Sequence, residues 1–326
     1  MNEGKIFVVC PGGVVTGGPE LLHQLVDELR GFGVQAFMSY HPFDRSFDVP
    51  AAYKHYNISQ QQPEDTSGNI LVIPESATRL VRSFHSMRIV IWWQSVDNYY
   101  RIPSQKGWRA WVPKAIANRL ARLPLNALRP YLHAVQSEYA RLHLEEHGIA
   151  ASKLGDYLAL AHRETDADIV REDVVTYNPR KGADISTRLK AALPNIVFRP
   201  IENMTSEQVN HLLKSVKLYM DFGPHPGKDR LPREAAAAGA CVVTGMQGSA
   251  RNSIDIPIPQ KYKIDEYSID LPQKFERLVN DVFNDFETAS LDFDDYRAKI
   301  FDERQEFSTQ CRDLFGSSIF DINSAR

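Results

Sequence analysis

The sequence predicts an α/β chain built from two doubly wound, mainly parallel-sheet domains. Short apolar, β-rich runs recur along it, among them 5–10, Ile70–Pro74, Arg88–Trp93, 174–177 and Cys241–Thr244, and near-continuous apolar runs of this length suit strands buried on both faces. Stretches with helical spacing separate them, as at Leu21, Leu22, Leu25, Val26 and Leu29. Glycine-rich loops join several strands to the helices that follow. At 326 residues the chain is long enough for two domains, each with its own core. The expected division is 1–155, 156–290 and a helical tail, 291–326.

Composition narrows the class. With 43% apolar and 24% charged residues the chain is of ordinary globular type, and no apolar run reaches the 18 residues of a membrane span. Met1-Asn2-Glu3 leads straight into a strand, which argues against a signal peptide. Cys10, Cys241 and Cys311 lie far apart, without disulfide or metal spacing, so a reducing cytoplasm is expected. A net charge of −3 excludes a generally basic nucleic-acid binder.

In order, 5–10 is the first strand and 11–19 a loop with Gly12, Gly13, Gly17 and Gly18. Its pattern is neither G-x-G-x-x-G nor a P-loop, so dinucleotide binding and ATP hydrolysis lack their usual evidence. A helix over 20–32 ends at Gly33, and 34–40 is the second strand. After the polar loop 57–69 come strand Ile70–Pro74, helix 77–84 and strand Arg88–Trp93. Asp97 then stands at the carboxyl edge of that strand, where open α/β sheets bind ligands; it is a candidate catalytic base for a bound hydroxyl, with a turn-capping role equally open. The segment 101–130 carries Arg101, Lys106, Arg109, Lys114, Arg119, Arg122 and Arg129 with no acidic residue, interleaved with Trp108 and Trp111. It reads equally as a surface for anionic membrane and as a helix packed on its own domain; nucleic acid is a weaker third reading. Strand 131–137 and helix 138–147 close the first domain. A second series follows: strand 174–177, helix 183–193, strand 195–199, helix Ser206–Ser215 with a capping box at Thr205 and Gln208, and strand 217–222.

The stretch from Asp221, DFGPHPGKDRLPREAAAAGACVVTG, runs from a strand end through a loop into a helix over 233–238, stopped by Gly239, and on to strand Cys241–Thr244. A helix N-terminus at a strand's carboxyl end favours anions, and Lys228 and Arg230 add positive charge there. His225 is a further candidate contact, and Asp229 is expected to pair with Lys228 or Arg230. Just after strand 174–177, Arg180 and Lys181 supply a second pair of cations.

These residues resemble the donor-binding segment of the GT-B glycosyltransferases, in particular the large retaining group with the E-x7-E pattern. Gly227, Glu234-Ala235, Gly239 and Val242-Val243 fall in its register, while Pro226 stands where the first Glu belongs. Gly17-Gly18-Pro19-Glu20 is similar to that family's Gly-Gly-x-Glu turn. The resemblance implies two Rossmann-like domains facing a central cleft and a last helix that crosses back to the first domain. It also implies transfer of a sugar from a nucleotide-activated donor, with a glycan or lipid-linked glycan of a bacterial surface polysaccharide as acceptor. Gly17, Gly18, His225, Gly227, Lys228 and Arg230 would contact the donor, Arg180 or Lys181 its diphosphate, and Glu234 the ribose hydroxyls. Asp292-Phe293-Asp294-Asp295 reads as solvated surface, so no metal is expected and cations would replace Mg²⁺. Because Pro226 breaks the signature, a non-catalytic nucleotide- or glycan-binding protein is the chief rival, with an epimerase or phosphorylase of the same architecture behind it.

Overall fold

A computed structural model describes residues 4–101, 122–158 and 170–319. Residues 102–121, which include Trp108 and Trp111, lie outside the described residues, so most of the basic segment does too. The chain divides into two compact units: Met1–Asp156 with Gln305–Arg326, and Tyr157–Arg304.

The first unit holds β1 (Ile6–Pro11), β2 (Ala36–His41), β3 (Ile70–Pro74), β4 (Arg88–Trp93), β5 (Leu132–Val135) and β6 (Ser152–Lys153), ordered β2-β1-β3-β4-β5-β6. Every pairing is parallel. Phe7, Val9, Leu71, Ile73, Ile91 and Trp93 pack on one face. Their neighbours Val8, Val72, Val90 and Trp92, which point the opposite way, are also buried, so both faces are covered and the strands read as unbroken apolar runs. The fully buried indoles have partners: Trp92 donates to the Leu154 carbonyl at 2.9 Å and Trp93 to His133 Nδ1 at 3.0 Å. Within this unit, Cys311 and Phe315 of the last helix, Asp294–Ile319, are buried, Gln310 Oε1 accepts the Gly155 N–H at 2.7 Å, and the Arg312 guanidinium lies over Phe32.

The second unit holds β7 (Glu172–Tyr177), β8 (Val197–Pro200), β9 (Val216–Asp221) and β10 (Cys241–Thr244), ordered β10-β9-β7-β8, again all parallel. Both sheets share one winding rule. The chain leaves the unit's first strand on one side and returns on the other, making a switch point between β1 and β3 and another between β7 and β9. Crevices open at the carboxyl ends of the strands at such points.

Several boundaries differ from expectation. The first long helix is Gly17–Gly31, so Gly17, Gly18 and Pro19 form its opening turn rather than a loop; N–H groups there have no helical partner, and Pro19 removes nothing. The expected helix at 77–84 is a 3₁₀ stretch, Glu75–Ser83, which begins directly at the end of β3. The helix expected at 233–238 begins earlier, at Arg230, because Pro232 fits in a first turn. Helix Ser206–Ser215 has the predicted capping box, with Gln208 N–H to Thr205 Oγ1 at 3.2 Å and Thr205 N–H to Gln208 Oε1 at 2.8 Å. Among the described residues no helix is long and apolar enough to cross a membrane.

Candidate functional site

The switch point of the second unit gathers most of the singled-out residues. The loops after β7 and β9 meet backbone to backbone. Gly182 has φ +56°, and a Cβ there would stand 2.4 Å from the Phe222 carbonyl oxygen; Gly223 has φ +102° and would place a Cβ 2.9 Å from Gly182 N. This contact carries Lys181 to the end of β9. Its Nζ lies 2.8 Å from Asp221 Oδ1, 2.5 Å from Asp229 Oδ2 and 3.2 Å from His225 Nδ1. Arg180 turns out to solvent, its N–H tied to Asn178 Oδ1 at 3.0 Å, and among the described residues its guanidinium has no ion-pair partner.

His225 is fully buried, with Nδ1 2.9 Å from Asp229 Oδ2 and Nε2 3.1 Å from the Asp221 carbonyl oxygen. Asp229 therefore pairs with Lys181 and His225, not with Lys228 or Arg230 as expected, because the glycine contact delivers a closer cation. Burial opposes charge on Lys181, but Asp221 and Asp229 outweigh it and its pKa is raised. Burial likewise opposes charge on Asp229, and His225 and Lys181 more than compensate, so its pKa is lowered. Asp221, His225 and Asp229 are also a donor set that suits a divalent cation. The Lys181 ammonium stands within bonding distance of all three.

The rest of the loop is held by its neighbours. Ser249 Oγ donates to the Gly227 carbonyl at 2.6 Å, and the Ser249 N–H to the His225 carbonyl at 2.9 Å. Lys228 Nζ pairs with Glu303 at 2.8 Å. Arg230 pairs with Glu234 one turn on, NH2 to Oε1 at 2.8 Å, and Glu234 is buried. Three participants were not foreseen from sequence: Arg233, Glu303 and Glu266. Glu266 is buried beside Gly245, accepts the Met246 N–H at 2.8 Å through Oε2, and has no partner for Oε1 among the described residues. Nothing in its local sequence, Asp265-Glu266-Tyr267, marks it.

The remaining expected residues lie in the first unit. Gly17 and Gly18 open the helix after β1. Asp97 is the second residue of the short helix Val96–Tyr100 and accepts from the Tyr139 hydroxyl at 3.1 Å. A cavity of about 310 Å³ at this unit's switch point takes Gln94 and Asn98 into its wall from the same stretch, and not Asp97.

No family model matches the chain, and no curated protein does. Solved structures do. HepE from Anabaena, in complex with UDP, superposes with a TM-score of 0.67 at 12% identity over 96% of this chain and all of that one. Sucrose-phosphate synthase from Thermosynechococcus elongatus gives 0.68 at 11% identity, covering 96% of this chain and 98% of its own. WaaG, a glycosyltransferase involved in lipopolysaccharide biosynthesis, gives 0.60 at 12%, covering 93% and 98%. Parallel sheets, covered faces and near-complete coverage agree: the chain has the fold of the GT-B glycosyltransferases.

Proposed function

We propose that the chain is a glycosyltransferase that takes a sugar from a nucleotide-activated donor and passes it to a glycan or lipid-linked glycan in surface polysaccharide synthesis. One observation carries this reading most. The two loops at the β7/β9 switch point bring a cation, a buried histidine and a helix N-terminus to a single sheet edge, on a fold whose solved neighbours include a protein in complex with UDP. In the reaction, the bond between the sugar's anomeric carbon and the diphosphate oxygen breaks while the acceptor oxygen bonds to that carbon and loses its proton. Lys181 and Arg180 would neutralise the charge that develops on the diphosphate. The N–H groups at the head of helix Arg230–Ala237, with Gly227 and Lys228 before it, would take phosphate oxygens. Glu234 would exchange its bond to Arg230 for the ribose hydroxyls and release that guanidinium towards phosphate. The reading includes no metal: Lys181 already serves the donors a dication would use. Segment 101–130 would bring the enzyme to anionic lipid at the inner membrane face.

The non-catalytic alternative keeps two specific supports: Pro226 replaces a sugar-contacting carboxylate of the resembled pattern, and Lys181, Lys228 and Arg230 are each paired with a carboxylate. Incubation with UDP-, GDP-, dTDP-, ADP- and CMP-sugars, with and without acceptor glycans, decides between them. Acceptor-dependent release of nucleotide from one donor is expected; tight binding without any turnover would establish the alternative.

A further inference from the structure

Helix Glu138–Glu146 of the first unit ends in a pair of side chains that neither the sheet core nor the proposed donor site uses. His143 and His147 stand four residues apart, so they share one face of the helix's last turn. Their rings lie 4.6 Å apart, inclined at 49°. His143 is half-buried and His147 exposed, so an ion can reach the pair from solvent.

Each imidazole has one nitrogen fixed and the other open. His147 Nδ1 lies 2.7 Å from the His143 carbonyl oxygen. A carbonyl only accepts, so the proton sits on Nδ1 and the Nε2 lone pair of the neutral ring is left open. His143 Nε2 lies 3.0 Å from the Tyr100 hydroxyl, whose ring meets it edge-on; the hydroxyl can accept that proton and leave Nδ1 open. Neither open nitrogen has a hydrogen-bond partner among the described residues. Metal-ligating histidines have this arrangement: one nitrogen bonds an outer partner that fixes tautomer and ring orientation, and the other faces the ion.

The charges agree. Burial, and then the neighbouring His147, hold His143 below the usual histidine range, so its ring is neutral near neutral pH, the form that binds metal. Glu146 and Asp97 pull the other way on the same ring, so a cation beside it meets two carboxylates. Burial raises the Tyr100 phenol, which stays protonated and is therefore an outer partner rather than an anionic ligand. Arg129 is taken up by the His147 carbonyl at 3.0 Å. Imidazole donors suit Zn²⁺, Ni²⁺ and Cu²⁺, whereas Mg²⁺ and Ca²⁺ take oxygen donors.

We propose that His143 and His147 form a two-histidine site for a divalent transition-metal cation, with Tyr100 as the outer partner of His143 and water in the remaining positions. Occupancy ties the short helix Val96–Tyr100, through Tyr100, to the end of helix Glu138–Glu146.

The test uses the metal-free full chain, titrated by calorimetry with Cu²⁺, Zn²⁺, Ni²⁺ and Mg²⁺ in separate runs. One strong site is expected, tightest for Cu²⁺ and closed to Mg²⁺. Electron paramagnetic resonance of the equimolar Cu²⁺ complex should show coupling to two imidazole nitrogens. His143→Ala and His147→Ala each weaken Cu²⁺ about tenfold or more and leave coupling to a single nitrogen. His147 is exposed, so its variant reads the site even if His143→Ala fails to fold. Tyr100→Phe keeps both nitrogens. The site is overturned if Cu²⁺ binds wild type no more tightly than His147→Ala, or if the wild-type spectrum shows fewer than two nitrogens. It is also overturned if binding survives both histidine substitutions and is lost instead in His225→Gln, which would put the cation among Asp221, His225 and Asp229.

Discussion

Arg233 and Glu303 form a buried ion pair, NH1 to Oε2 at 2.9 Å, with the two side chains 1% and 3% exposed. The same guanidinium donates to the Asp229 and Lys228 carbonyls, each at 3.2 Å, and the other Glu303 oxygen takes Lys228 Nζ. One carboxylate on the last helix thus fixes the loop between His225 and Glu234. Glu303→Ala removes this buried carboxylate from the guanidinium, and is expected to cost about 3–5 kcal/mol. Pairing it with Arg233→Met should recover much of that loss. Urea unfolding measures both; a single-variant cost below about 1 kcal/mol would contradict the role.

Lys181→Ala and Glu234→Ala separate phosphate from ribose recognition. The first should weaken a nucleoside diphosphate by about 2–5 kcal/mol and leave the free nucleoside little changed. The second should weaken both. Calorimetry with UDP or GDP and the matching nucleosides reads the difference, and equal losses for the two ligands in Lys181→Ala would remove that lysine from phosphate.

The Lys181 substitution has a second consequence. It strips the cation from Asp221 and Asp229 and leaves His225 beside them, so millimolar Mn²⁺ should raise the melting temperature of Lys181→Ala more than that of the wild type. An identical response in the two proteins would show that the ammonium is not filling a cation position.

The pH dependence of stability has one sign for Glu75 and Lys181 and the other for Asp229. Glu75 is raised from 4.5 to about 7, so its contribution is full below about 4.5 and is lost as pH rises to 7, on the order of 3 kcal/mol in all. Wild type should lose stability over that window and Glu75→Gln should show a flatter curve. Asp229 is lowered, so its contribution holds above about 3.8 and fades as pH falls further; Lys181 is raised, so its contribution holds below about 10.5 and fades above. Chemical denaturation at a series of pH values checks both signs.

Gly182→Ala places a Cβ against the Phe222 carbonyl at a positive φ. A cost of about 2 kcal/mol or more is expected, with weakened nucleotide binding, since this contact sets the position of Lys181. A variant as stable as wild type would show that the loops can part.

All strands but the exposed two-residue β6 were legible because a parallel sheet covered on both faces leaves unbroken apolar runs, and helix Ser206–Ser215 because its cap is written in two side chains. Helix starts at Gly17 and Arg230 were misplaced for one reason: proline and glycine look like loop residues, yet a first turn tolerates both. The positions of Lys181 in a loop after a strand and of Glu234 in the helix after the next loop could be read locally. Their partners could not. Asp221 looked like a strand end, Glu303 like one acid in an acidic tail, and Glu75 like the residue after a proline, because long-range pairing leaves no periodic trace.

The first unit is discontinuous in sequence, and this governs the order in which the molecule can be finished. Residues 305–319, which bury Cys311 and Phe315 within it, leave the ribosome only after the entire second unit. At about 5–20 residues per second, the half made first waits on the order of ten seconds for its last piece. Until then the surface that this piece covers is exposed, so a nascent chain stalled anywhere in the second unit presents an incomplete first unit to chaperones and proteases.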